Sequence, residues 1–427
     1  MNFYVEVLGC PKNEADCALL KSHLRKMGNN IVDNLSDADA VIIDTCGFIL
    51  DAKKESIEEI LSYVEYKKGK NLKVFVTGCL VQRFGKELKK EIPEVDGWFG
   101  VLPPKEIATH IGKRNVIPEV PEPVYNFEGR VDNGQYAYVK ISDGCDRACS
   151  FCTIPLFKGS FKSRKIDDIL KEIEFLIERK IKEIILVAQD TTGYGIDIYR
   201  KQMLPELLKR INDLSGDFWV RVMYMHPDHI TDDIIEAFSY DKVLKYFDIP
   251  VQNGSDKILK LMNRSRKTRQ LYSLFEKIRN FYSDAILRTS IIVGFPGETR
   301  KDFDETLKFI KEVKFDRLGA FIYSDEEEAS SFSLSGKVPR EIAEERLEEL
   351  MDIQSQISFE KNEKLVGKKL KVLFDEEEDG VLIGRSYMDA PEIDANVFVR
   401  GEFKKGFFDV KITSADIYDL EGEIVEE

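Results

Sequence analysis

The chain has 427 residues, 43% hydrophobic and 33% charged, with 27 Gly and 14 Pro; this is a globular composition, long enough for more than one core, and it excludes collagen-like, disordered and low-complexity classes. A formal net charge of −14 argues against a broadly basic nucleic-acid binder and suits a basic partner. No run approaches the roughly 18 apolar residues of a membrane span, and Met1 leads into Phe3–Leu8 without a basic segment or cleavage site, so a cytoplasmic protein with no membrane contact is expected. Seven cysteines, an odd number, favour metal ligands or catalytic thiols over disulfides.

Residues 1–115 alternate short apolar runs with amphipathic stretches, the pattern of a parallel α/β sheet. Strands are predicted over 3–8, 40–44 and 73–77, and helices over 15–27, closed by Gly28, and 51–66. Leu102-Pro103-Pro104 and Ile117 to Pro123 read as a proline-rich linker. Within a second domain, 131–360, strands are expected at 136–141, 183–188, 218–224, 245–249, 286–293 and 318–323. Six such βα units make a partial TIM-like (β/α)6 barrel, whose reactive mouth lies at the C-terminal strand ends. A charged helix from Pro339 to about Leu365 leads into a third domain, 361–427. There, alternation around turns at 368–374, 381–387, 396–400, 407–412 and one last segment predicts a small antiparallel β-barrel.

Cys145-Asp146-Arg147-Ala148-Cys149-Ser150-Phe151-Cys152 follows the first barrel strand. Three thiolates so close can hold three irons of a 4Fe-4S cluster and leave the fourth open. Zinc is the alternative, but zinc sites favour paired CxxC units or histidines, and the chain has 4 His. A second set emerges once the strands are drawn: Cys10, Cys46 and Cys79 each lie one or two residues past a parallel strand, where α/β sheets place ligands. Neighbouring Gly9, Gly47 and Gly78 would let backbones approach. Cys17, on the first helix, reads as a core cysteine on an apolar face.

The CxxxCxxC run with its aromatic, placed after the first of six βα units, resembles the radical S-adenosylmethionine (SAM) superfamily. With the second cysteine set and the terminal barrel, called TRAM in that setting, the whole chain resembles the methylthiotransferases. The resemblance implies two 4Fe-4S clusters and SAM: the open iron of the first binds SAM and yields a 5′-deoxyadenosyl radical, and the second carries the sulfur of a methylthio group. Positioning is then the protein's share of the chemistry. Two substrate classes occur in the family, tRNA adenosines and an aspartate of ribosomal protein S-twelve. Gly9 to Asn13, Asp143 to Asp146, Phe157 to Arg164, Ala188 to Thr192 and Tyr323 to Glu327 look like the second. Residues 361–427 carry 10 Lys and Arg against 17 Asp and Glu, a surface suited to a basic protein rather than to a polyanion.

By the same resemblance, SAM contacts are expected from Phe151, Gln189, Asp190, Arg264, Arg288 and Gly294: the arginines for its carboxylate, Gln189 and Asp190 for its ammonium, Gly294 for the adenine edge, and Phe151 either to shield the cluster or to stack on adenine. Ala188-Gln189-Asp190 departs from the superfamily's usual Gly-Gly-Glu turn. Lys12, Lys162 and Arg164 are candidates for the substrate carboxylate. An electron donor of unknown identity and a monomeric state complete the expectation. The competing readings are a tRNA methylthiotransferase and a noncatalytic iron–sulfur protein that binds RNA or senses redox state.

Overall fold

The structure, a computed structural model, describes residues 1–122, 127, 129–130, 132, 134–402 and 406–425; position 123 of the predicted linker and position 131, the expected start of the second domain, lie outside them. The N-terminal unit is a five-stranded parallel sheet ordered β2-β1-β3-β4-β5, built from β1 (Asn2–Leu8), β2 (Asn30–Ile31), β3 (Ala40–Thr45), β4 (Lys73–Gly78) and β5 (Gly97–Trp98). Three of these are the predicted strands; the two-residue edges carry too little pattern to read. Helix α1 (Pro11–Lys26) starts four residues before its predicted position because Pro11 fits the first helical turn, where its missing N–H costs nothing. Helices α2 (Leu50–Lys67) and α3 (Cys79–Glu91) follow β3 and β4. The linker reading needs correction at Pro103-Pro104, for Pro104 opens α4 (Pro104–His110) for the same reason as Pro11.

The second unit holds β6 (Tyr136–Lys140), β9 (Glu183–Val187), β10 (Trp219–Val222), β11 (Tyr246–Asp248), β12 (Ile286–Val293) and β13 (Arg317–Ile322), all six of the expected strands. They form two parallel triplets, β6-β9-β10 and β11-β12-β13, joined by a parallel bridge from Val220 to Val243. Between β6 and β9, β7 (Ser142–Asp143) and β8 (Lys162–Ser163) pair antiparallel and fold the CxxxCxxC loop back on itself. One face of the strands, with Val139, Leu186, Val220, Phe247 and Leu287, packs against the surrounding helices. The other carries Glu183, Arg221, Asp248 and Arg288, buried charges paired with one another.

The last helix spans Arg340–Glu363, across position 360, and the barrel strands follow it. There β14 (Lys369–Glu378), β15 (Val381–Ser386), β16 (Val397–Arg400), β17 (Gly406–Ala415) and β18 (Leu420–Ile424) close a barrel ordered β14-β15-β16-β18-β17. The loop between β15 and β16 closes the end of the half-barrel remote from the cysteines. Tyr136 and Tyr138 donate to Glu392 and to the Pro391 carbonyl, Arg221 to the Tyr387 carbonyl and Arg317 to Asp389. Among the described residues no helix is long and apolar enough to cross a membrane.

Candidate active site

Strand register aligns Cys10, Cys46 and Cys79. Leu8 pairs with Thr45 and Thr45 with Gly78, so Cys46 and Cys79 leave adjacent strands at one level and Cys10 lies one residue further along its own. Cys10 caps α1 and Cys79 is the first residue of α3, so both side chains leave the chain at helix N-termini. Ser56 of α2 pins the Cys46 peptide, accepting its N–H and donating to its carbonyl at 3.1 Å each. Gly78 adopts φ +103°, and a Cβ there would stand 2.4 Å from Asp44 Oδ1. A Cβ on Gly47 would meet the Leu80 nitrogen at 2.7 Å. The expected close approach of backbones is present at Gly47 and Gly78, whereas Gly9 makes room only for the Asn13 side chain.

The CxxxCxxC set sits on the loop after β7. Gly144 turns the chain at φ +70°, where a Cβ would strike the Ser160 carbonyl at 2.1 Å, and Cys145 N–H donates to the Gly159 carbonyl at 3.1 Å. The Arg147 N–H points at Cys145 Sγ, 3.4 Å away. Ser150 is tied to the Met262 and Leu261 carbonyls, which fixes the loop across the mouth of the barrel.

Burial pushes the thiols of Cys46 and Cys145 up to about 11 and those of Cys79 and Cys152 up to about 12, so ionisation requires compensation from a bound metal. Among the described residues no three Cys, His, Asp or Glu side chains gather tightly enough to hold one ion. Three soft sulfur donors in each set are a donor chemistry that an iron–sulfur cluster accepts. Cys17 is buried as expected but among polar neighbours: its Sγ lies 3.4 Å from Asp44 Oδ2, which also accepts from Asn13.

The six expected SAM contacts divide. Gln189 has a buried Oε1 without a partner. Asp190 is engaged by Arg147 at 2.7 and 2.9 Å and by Thr192. Arg264 holds the Pro250 carbonyl and His226, leaving its buried Nε unpartnered, and its charge favours the Cys152 thiolate. Phe151 packs with Met262 and Phe295 in a small apolar cluster. Arg288 differs from expectation: Asp248 at 2.8 Å and Asp394 at 3.3 Å neutralise it. Gly294 turns at φ +73°, where a Cβ would stand 2.7 Å from that of Ala343 on the last helix.

Of the carboxylate candidates, Arg164 is buried against Glu172 at 2.6 Å and Lys162 lies at the surface near Glu122. Lys12 stands 3.9 Å over the Tyr224 ring. Sequence reasoning missed Tyr224, which turns out of its predicted strand at φ +60°, with its N–H held by Asp248 and its carbonyl by Thr191; strain of this kind gathers at functional sites. The Tyr323 to Glu327 wording acquires a physical role: Glu326 receives Lys53 at 2.7 Å and Arg83 at 2.9 Å, docking the N-terminal unit onto the mouth of the barrel.

Three family models match the chain: "Uncharacterized protein family UPF0004" over residues 2–100, the radical SAM superfamily over 139–310 and the TRAM domain over 366–425. Among solved structures, the radical SAM methyltransferase TsrM from Kitasatospora setae shares the fold with TM-score 0.56 at 12% identity, covering 90% of this chain and 80% of that one. The cobalamin-dependent radical enzyme OxsB does so with TM-score 0.51 at 14% identity, over 83% of this chain and 56% of that one. Fold and cysteine placement thus define a radical SAM protein of three units. Proteins named ribosomal protein uS12 methylthiotransferase RimO are 77% identical in Thermosipho africanus, over all of both chains, and 62% in Fervidobacterium nodosum, over 100% of this chain and 99% of that one. One from Carboxydothermus hydrogenoformans is 43% identical over the full length of both. The chain belongs to this family of sulfur-transferring radical SAM enzymes, and membership implies a 4Fe-4S cluster and SAM.

Proposed function

We infer that the chain replaces a C–H bond on the β-carbon of an aspartate of ribosomal protein uS12 by C–S–CH3, with one SAM as methyl source and another as radical source. The observation that carries this reading is the docking, through Glu326, of the unit whose register-aligned strand ends carry one cysteine triplet onto the barrel whose first loop carries the other. Cys145, Cys149 and Cys152 hold the SAM cluster, and Cys10, Cys46 and Cys79 hold a second. When bound, these groups supply one-electron chemistry at an unactivated carbon that side chains cannot provide.

The chain's own residues bind and orient. Gln189 Oε1, buried and unpartnered, accepts from the SAM ammonium; Arg264, with a spare buried Nε–H, faces its carboxylate; Phe151 offers an apolar wall. Lys12 takes the substrate carboxylate, since Arg164 is committed elsewhere. The acidic third domain, with Glu376 to Glu378 exposed at the end of β14 and Asp379 at the turn after it, attracts a basic ribosomal protein.

The test is mass spectrometry of uS12 peptides after incubation with reconstituted enzyme, SAM, sulfide and reductant. A methylthio mass on aspartate is expected and should survive nuclease treatment, whereas modification of tRNA alone would overturn the substrate. About eight irons per chain are expected for two 4Fe-4S clusters; one zinc without sulfide would end the reading.

A further inference from the structure

Lys158 is the last residue of the short helix α5 (Ile154–Lys158), six positions beyond Cys152. It is only 8% exposed; among the described residues its ammonium has no hydrogen bond or ion pair, and what exposure the residue keeps is towards the small cavities it lines. An isolated buried charge costs several kcal/mol, so buried ammonium groups ordinarily have an anionic partner. The nearby carboxylates are already engaged: Asp16 and Asp143 receive Lys140 at 2.9 and 2.5 Å, and Asp44 accepts from Asn13 and Cys17.

Lys158 instead borders a cavity of about 20 Å³, room for one water, whose wall includes Thr77 and Gly78 directly before Cys79. The next residue, Gly159, accepts the Cys145 N–H. Lys158 therefore stands on the segment that carries one cysteine triplet and directs its charge towards the other. Three thiolates leave a 4Fe-4S core negative overall, and an anionic sulfur on the remaining iron, or an added electron, makes it more so.

We propose that Lys158 is the fixed counter-ion of the Cys10, Cys46 and Cys79 cluster, a positioning residue that stabilises its reduced and sulfide-loaded forms. This rests on the reading of those three cysteines as cluster ligands. Its place on α5 also makes the charge available only when the N-terminal unit is docked on the barrel.

The test uses full-length protein in which Cys145, Cys149 and Cys152 are all replaced by Ala, reconstituted anaerobically, alone and combined with Lys158→Met or Lys158→Arg. Iron and sulfide content, midpoint potential by titration followed with electron paramagnetic resonance, and affinity for sodium sulfide are measured. About four irons per chain are expected. In Lys158→Met the reduced-to-oxidised ratio should fall at least tenfold, 59 mV for a one-electron couple, and sulfide should bind about tenfold more weakly; Lys158→Arg should stay near the parent. Cluster loss in Lys158→Met with retention in Lys158→Arg also supports the proposal. Unchanged potential and affinity in Lys158→Met overturn it, as does cluster loss in both variants, which marks a packing role. No iron in the parent overturns the ligand reading itself and the counter-ion with it.

Discussion

Cys17 and Lys158 border the same cavity, yet only the cysteine is prominent in the sequence. Its thiol, seven residues from Cys10 in a chain with two cysteine triplets, is the natural suspect for a seventh ligand. Its Sγ–H is directed to Asp44, and burial raises the thiol well above its ordinary value. Cys17→Ala should therefore retain the parent's iron and sulfide content, with a stability loss of about 1 kcal/mol read from the denaturation midpoint. The same substitution at Cys10, Cys46 or Cys79 should remove about half the iron. Lys158 was invisible by contrast: a lysine at a helix end in sequence is normally a solvated charge, and its isolation follows from the packing of two domains against it.

At the scale of elements, the turn from β4 into α3 decides where Cys79 points. Gly78 has φ +103°, a region that L side chains rarely adopt, and lies against Asp44 and the Thr45 carbonyl. Gly78→Ala should cost about 1–3 kcal/mol of backbone strain and displace Cys79. Iron analysis of the variant is expected to show loss from the N-terminal site while the SAM-cluster signal persists; full iron content would mean that the turn tolerates a side chain. All six strands of the half-barrel were legible because βα alternation survives burial on both faces. Tyr224 was not legible: it reads as strand continuation, and only the grip of Asp248 and Thr191 on its backbone turns it out. Nor was the neighbour of Gly294 legible: Ala343, beside that turn, lies 49 positions away in the chain.

At the scale of the molecule, Glu183 joins the second and third units. It is fully buried and receives Arg221 and Arg385 at 2.6 Å each, the latter from β15. Burial opposes its charge, but the two guanidinium groups outweigh burial and hold its carboxyl below the ordinary 4.5. A depressed folded-state value means that the pairing contributes in full above the unfolded value and is lost as pH falls through the folded one. The C-terminal barrel should thus stay docked at neutral pH and loosen only under acid, as pH falls below the carboxyl's ordinary 4.5. Glu183→Gln, which leaves two buried cations short of an anion, should cost about 3–5 kcal/mol and loosen the docking already at pH 7. Limited proteolysis between the units and small-angle scattering at pH 7 and pH 3 would show it, and identical cleavage of variant and parent would refute it.

The sequence by itself determined the order of the three units, nearly every long strand, and both cysteine triplets, because periodicity and ligand spacing are local properties of the chain. Tertiary structure decided which polar groups remain available. Arg288 and Arg264 are equally plausible ligands on paper; Asp394, from a loop of the third unit, neutralises the first, while the second keeps an open donor. Charge pairing between residues a hundred positions apart leaves no periodic trace in a sequence, and it is this pairing that separates a structural ion pair from a binding site.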